Sequence, residues 1–405
     1  MKIKRSSLIL GIFLLLTAFK PATKNEETNW VKKGIDRAHF QLMEMAKTIE
    51  GLKSDTAVFP RSFSKAEKML WVGTHDWTSG FYPGSLWYLY ELTGDSTIGR
   101  YARKLTNQLN NIQYYRGTHD LGFMMYCSYG NALRLKPQVT DGPVLLNAAK
   151  SLASRFSPVT QTIRSWDFGK WSYPVIIDNM MNLELLFWAS RKTKDDSYKN
   201  IAILHADATI KNHYRKDFSS YHVVSYDRTT GRIESKETNQ GFSDSSAWAR
   251  GQAWGLYGFT FCYRETHEQR YLDQAKAIAS FIMNNPATPA DLIPYWDYNA
   301  PDIPNAPRDA SAAAITAAAL LELSKLVPDG KSYFKYAEKI LKTLSGDAYL
   351  ARKGTNNGFI LMNSVGSFPD KSEVNASITY ADYYYLEGLK KYLEIAKLKK
   401  RLNIY

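Results

Sequence analysis

Seven aspartates occupy one kind of place in this chain. Asp76, Asp120, Asp178, Asp244, Asp297, Asp309 and Asp382 stand in the loops that lead into apolar stretches, or at the first residues of those stretches. Carboxyl groups of this kind suit general acid–base work once an apolar setting lifts their pKa toward neutrality. Asp178 is placed best for that. It follows Val175-Ile176-Ile177 and opens the stretch DNMMNLELLFWAS, whose Met181, Leu185 and Trp188 form an apolar face at helical spacing. A helix start recruits Asp for capping whatever the function, and position alone favours a cap at Asp178. Most of the other aspartates are expected to be caps or arginine partners.

The elements that must position these groups repeat. Six stretches that are apolar nearly all round begin near residues 80, 120, 178, 250, 309 and 382. They alternate with amphipathic stretches at 29–52, 97–113, 142–155, 194–213, 268–284 and 331–345. A helix apolar on every side is buried, whereas an amphipathic one shows a face to water. Six of each in alternation predict an all-α fold, an (α/α)6 barrel with six inner and six outer helices. Gly255, Gly258 and Ala312 to Ala314 are small enough for the inner helices to approach closely. Inner helices running one way bring their N-terminal loops to one end, where the helix dipoles favour anions. Those loops carry His75-Asp76-Trp77, His119-Asp120, Asp178-Asn179, Gln240 to Arg250, Trp296 to Asp309, and Asp382. The expected site is a cleft lined by acids, aromatics and amides, suited to a carbohydrate, with Arg250 available for an anionic one.

Composition narrows the class. The chain has 405 residues, 44% of them hydrophobic and 22% charged, which excludes a disordered protein. Aromatics reach 14%, with 27 Tyr and 10 Trp, residues that offer an apolar face and a polar edge for stacking on sugars or bases. Residues 1–22 read as a secretory signal: Lys2, Lys4 and Arg5 precede an apolar run from Leu8 to Leu16 that is too short to span a bilayer. Residues 23–405 read as one barrel domain, periplasmic or secreted, with no membrane anchor. Removing the leader takes away Lys2, Lys4, Arg5 and Lys20, so the net charge falls from +13 to +9, which still suits an acidic partner. No compact Lys/Arg block appears, and nucleic acid is not expected as a partner. Two cysteines, Cys127 and Cys262, exclude a disulfide framework and read as buried thiols. The seven histidines form no metal-binding pair, and neither a metal nor a cofactor is expected.

Five motifs carry a family resemblance. HDLGF at 119–123, DNMMN at 178–182, RGQAWGLYG at 250–258, RDASAAAI at 308–315 and YADYYYLEGL at 380–389 resemble glycoside hydrolase family 88, the unsaturated glucuronyl hydrolases, in order and spacing across roughly residues 30 to 395. The resemblance implies a substrate made by a polysaccharide lyase: an acidic oligosaccharide whose non-reducing uronate carries a C4=C5 double bond. It implies hydration of that vinyl ether, with Asp178 as the catalytic acid/base and Asp120 as the second catalytic aspartate. It assigns Trp77 to stacking, and His222, Gln240, Arg250 and Trp254 to the sugar ring and its carboxylate. Ser364, Ser367 and Lys371, in the stretch before the last helix, are implied contacts for sulfate on the next sugar.

Two other readings stand beside this one. The first is a different enzyme on the same barrel, either an unsaturated rhamnogalacturonyl hydrolase or a polysaccharide lyase. The motif around Arg250 ranks the first of these second, and the five motifs together disfavour a lyase. The other is a non-catalytic sugar-binding protein, against which the retention of both Asp120 and Asp178 counts. Within the leading reading, basic charge favours glycosaminoglycan fragments.

Overall fold

A computed structural model of the chain describes residues 26–52, 58–66 and 68–402. The leader at 1–22 lies outside them. Among the described residues the α-helices are α1 (Glu26–Gly51), α2 (Phe81–Thr93), α3 (Ser96–Gln108), α4 (Asn131–Leu135), α5 (Asp141–Ala153), α6 (Asn179–Thr193), α7 (Asp196–His213), α8 (Ala249–Thr266), α9 (Gln269–Asn284), α10 (Ala310–Leu326), α11 (Lys331–Leu344) and α12 (Thr379–Leu402). The second inner helix is composite, because a π-helical stretch, Gly122–Gly130, runs directly into α4. The inner set is α2, the π–α4 unit, α6, α8, α10 and α12. The outer set is α1, α3, α5, α7, α9 and α11. This is the (α/α)6 barrel expected from the alternation.

Burial follows the pattern that predicted it. Every residue of α8 from Ala249 to Cys262 and of α10 from Ala310 to Leu323 is buried. In outer α11 the buried set is Phe334, Ala337, Ile340, Leu341 and Leu344, a single helical stripe. Inner helices approach where side chains vanish: a Cβ placed on Gly258 of α8 would lie 2.5 Å from the Cβ of Met180 on α6.

The sequence pattern did not predict strands, and the loops before the inner helices contain them. A four-stranded antiparallel sheet has the order β2-β1-β9-β8, from β1 (Phe59–Ser64), β2 (Lys68–Val72), β8 (Ser364–Ser367) and β9 (Ser372–Ile378). A short pair joins β3 (Phe156–Ser157) to β4 (Thr162–Ile163). A three-stranded sheet has the order β5-β6-β7, from β5 (Pro174–Ile176), β6 (Val223–Tyr226) and β7 (Ile233–Glu237). Long loops packed against a barrel end must satisfy their own backbone groups, and short ladders do so. These strands position the site: β5 leads into α6 and Asp178, and the β8–β9 hairpin leads into α12.

The opposite end of the barrel is held by charge. Arg264 of α8 donates to Glu184 of α6 at 2.5 Å and to Glu322 of α10 at 2.6 Å. Lys391 of α12 donates to Glu322 at 2.6 Å. Burial opposes the Glu322 anion, but Lys391 and Arg264 outweigh it and hold the carboxyl down at about 2. Among the described residues no helix is long and apolar enough to cross a membrane.

Candidate active site

At the N-terminal end of the inner helices lies a cavity of about 510 Å³. Asp178, Asp120, Trp77, Gln240 and Ser367 are in its wall, together with Arg61, Trp166, Glu373 and Tyr380.

Asp178 occupies the N-cap position of α6, yet its side chain makes no capping hydrogen bond. The contrast with Asp309 is direct. Asp309 at the start of α10 accepts from the amides of Ser311 (3.0 Å) and Ala312 (3.3 Å), as a cap does. Asp178 is 7% exposed and its Oδ2 has no hydrogen-bond partner. Burial raises its pKa to about 7, Arg250 opposes the rise, and the neighbouring Asp120 charge adds to it. The indole N–H of Trp254 faces the Asp178 carboxyl and favours its anion without the geometry of a full hydrogen bond. A carboxyl titrating near neutrality can deliver a proton and take one back.

Asp120 precedes the π-helical stretch and does not cap it. Its Oδ2 accepts from the Thr118 hydroxyl at 2.6 Å, and its Oδ1 lies 3.2 Å from His119 Nε2. Both contacts fix the carboxylate on the cavity wall beside Asp178. His222 stands just before β6, whose pairing with β5 places it against the start of α6. Its Nδ1 accepts from the amides of Asn239 and Gln240, each at 3.1 Å. The ring is therefore neutral with its proton on Nε2, which faces Asp178. Burial, seconded by the Arg250 charge, lowers its pKa to about 3. Gln240 also donates through Nε2 to the Gly366 carbonyl at 3.0 Å, tying its loop to the β8–β9 hairpin. Trp77 packs on Phe123 (5.6 Å between centroids) and Tyr380 (5.1 Å) while remaining in the cavity wall.

Other residues singled out from the sequence lie elsewhere. Arg250 is 1% exposed and outside the cavity wall. It donates to Asp309 at 3.1 Å, to the Gly366 carbonyl at 2.6 Å and to the Val365 carbonyl. Its guanidinium thus fastens α8 to α10 and to β8. Trp254 is fully buried against Phe123 and Tyr384. Of the three hairpin residues only Ser367 reaches the wall, where its hydroxyl donates to Asp370 at 2.6 Å. Ser364 is fully buried behind it, and Lys371 is exposed on the turn between β8 and β9. Asp382 sits in the first turn of α12, where it accepts from the amides of Ile360 (2.9 Å) and Leu361 (2.8 Å) as a loop fastener. Sequence reasoning missed Arg61, Glu373, Trp166, Phe168 and Tyr380 as wall residues. Arg61 and Glu373 lie on strands and Trp166 and Phe168 in a loop, whose pairing no local pattern announces; Tyr380 opens α12 within a motif already singled out, but nothing local shows that it reaches the cavity. Among the described residues no group of three His, Cys, Asp or Glu side chains stands where it could hold a metal ion.

A protonatable carboxyl beside a second carboxylate, in an aromatic-walled cavity at the end of an (α/α)6 barrel, is an arrangement suited to a carbohydrate-processing hydrolase. The family model of Glycosyl Hydrolase Family 88 matches residues 59–392, and the chain belongs to that family. It is 42% identical to an unsaturated glucuronyl hydrolase of Formosa agariphila over 95% of this chain and 96% of that one. It is 32% identical to an unsaturated chondroitin disaccharide hydrolase of Streptococcus agalactiae over 82% of this chain and 84% of that one. Among solved structures, an unsaturated glucuronyl hydrolase specific for heparin superposes with a TM-score of 0.88 at 50% identity, covering 91% of this chain and 98% of that one. The unsaturated glucuronyl hydrolase of Bacillus sp. GL1 gives 0.79 at 29% identity, covering 88% and 96%.

Proposed function

We propose that this enzyme removes the 4,5-unsaturated uronate from the non-reducing end of lyase-generated glycosaminoglycan fragments by hydrating the C4=C5 vinyl ether. The observation that carries this reading is Asp178: a buried carboxyl with an unpartnered oxygen and a pKa near 7, open to a cavity walled by Trp77 and Asp120. Asp178 in its acid form protonates C4, leaving an oxocarbenium ion shared between C5 and the ring oxygen. Water adds at C5, and the Asp178 carboxylate takes the proton from it, so one residue gives and regains one proton. The C5 hemiketal opens to a ketone, freeing C1 as a hemiacetal that expels the next sugar. Asp120 holds substrate hydroxyls and lifts the pKa of Asp178 by like charge. His222, through Nε2–H, stabilises the Asp178 anion between the two proton transfers.

The 50% identity to a structure named as heparin-specific supports heparin-type fragments over chondroitin-type ones. Residues 1–22 act as a cleaved secretory leader that delivers a single barrel domain, residues 23–405, to the periplasm or the medium. The test is loss of the ultraviolet band of the conjugated uronate. Unsaturated disaccharides from heparin, chondroitin and hyaluronan, sulfated and unsulfated, are each mixed with wild-type protein and with Asp178→Asn. Loss of the band with wild type, abolished in the variant while binding persists, supports the assignment. Equal activity of the two proteins removes Asp178 from the mechanism, and an inert wild type overturns the reading.

A further inference from the structure

We infer that Arg61 is the specificity-determining cation of this site, the group that meets an oxyanion of the substrate; the inference rests on the reading above. Among the described residues in the cavity wall the carboxyl side chains are Asp76, Asp120, Asp178, Asp370 and Glu373, and the one Lys or Arg is Arg61. An acidic sugar entering such a wall is repelled unless a cation meets it. Arg250 is buried outside the wall with both Nη groups donating to Asp309 and to the β8 carbonyls, and Lys371 also lies outside the wall.

The geometry of Arg61 fits the task. Its Nε donates to Glu373 Oε1 at 2.9 Å, one Nη donates to Glu373 Oε2 at 3.1 Å, and the other Nη donates to Asp76 Oδ2 at 2.9 Å. A guanidinium carries five N–H groups, so one on each Nη is left for a ligand. The side chain is 25% exposed, while those of Glu373 and Asp76 are 4% and 18% exposed. Asp76 is itself fixed by the Thr78 amide at 2.9 Å and the Thr78 hydroxyl at 2.5 Å. Arg61 is thereby held at the wall before substrate arrives, which reduces the ordering cost of binding. The oxyanion is the carboxylate of the unsaturated uronate or a sulfate ester on the neighbouring sugar, chemistry that a planar fork of donors serves equally.

Steady-state kinetics on unsulfated and sulfated unsaturated heparin disaccharides test this. Arg61→Gln is expected to raise KM by about 10- to 100-fold with a smaller change in kcat, and Arg61→Lys to recover part of the loss. Glu373→Gln loosens the anchor of the guanidinium but keeps the cation and one acceptor for it, so its KM is expected to rise several-fold less than that of Arg61→Gln. That difference in size separates anion binding from a mere clasp between β1 and β9, which either substitution would break alike. A rise on both substrates identifies the uronate carboxylate as the partner, and a rise confined to the sulfated one identifies the ester. Should Arg61→Gln fold poorly because Glu373 has lost its guanidinium, the double variant Arg61→Gln/Glu373→Gln is expected to show the same rise. A KM within twofold of wild type, or an equal rise for Arg61→Gln and Glu373→Gln, overturns the inference while wild-type turnover leaves the proposed function standing. An inert wild type overturns both.

Discussion

His222 Nε2 lies 3.6 Å from Asp178 Oδ2, and both atoms are buried without another hydrogen-bond partner. Because Nδ1 already accepts two backbone amides, the proton must sit on Nε2. A neutral donor therefore faces the carboxyl just beyond bonding distance. It leaves Asp178 free to hold its own proton, and in the proposed mechanism it is in place to receive the anion once that proton has gone to substrate.

The pH profile should report Asp178. The proposed mechanism requires its acid form for the first step, and burial raises its pKa to about 7. Above that value kcat/KM should fall about tenfold per pH unit. Asp120→Asn removes one of the charges that raise the pKa, so its residual activity should show the descending limb at lower pH. A limb that stays in place would remove Asp120 from the electrostatics of Asp178.

Burial of Asp178 should cost stability. A carboxyl whose folded pKa is raised above its unfolded value binds more protons when folded, so stability drops as pH rises from about 4 through 7. Asp178→Asn removes that penalty. At pH 8 the variant should be more stable than wild type by ~2–4 kcal/mol, and the gap should close toward pH 4. Denaturant unfolding at the two pH values measures both quantities.

Asp382→Asn should do the reverse when measured at pH 4, where the penalty of a pKa that burial raises to about 8 is absent from the comparison. Both carboxylate oxygens accept backbone amides, from Ile360 and Leu361. An amide presents one acceptor and one donor there, so a buried N–H is left facing an N–H. A loss of about 1–3 kcal/mol is expected by denaturant unfolding. KM should change little, because the residue lies outside the cavity wall.

The charge network at the far end of the barrel should be worth more to stability than to turnover. Glu322→Ala leaves Arg264 and Lys391 without the carboxylate that pairs them. Arg264 keeps Glu184 and Glu265 and Lys391 keeps Glu387, so a loss of about 1.5–3 kcal/mol is expected, with the KM of the remaining folded enzyme unchanged. Thermal unfolding alongside steady-state kinetics on the same sample checks the separation.

The sequence by itself determined the barrel. Apolar residues on all sides of six stretches, and on one side of six others, are local facts, and burial follows from them wherever the helices pack. The inner helices begin within a few residues of the predicted starts, because a change of periodicity marks a boundary in the chain itself. The sequence also narrowed the chemistry to a handful of aspartates at one end. Only the tertiary structure sets their surroundings apart. Asp178 and Asp309 look alike in the chain, each an Asp before a helix, yet Asp309 folds back onto its own amides and Asp178 does not. The difference is made by His222, Arg250 and Asp120, which arrive from other elements and set the burial and charge around one carboxyl. Arg61 and Glu373, 312 residues apart, meet only because β1 pairs with β9. Helix periodicity is carried by neighbours in sequence, whereas the pKa of a buried acid depends on desolvation and on charges brought in by the fold.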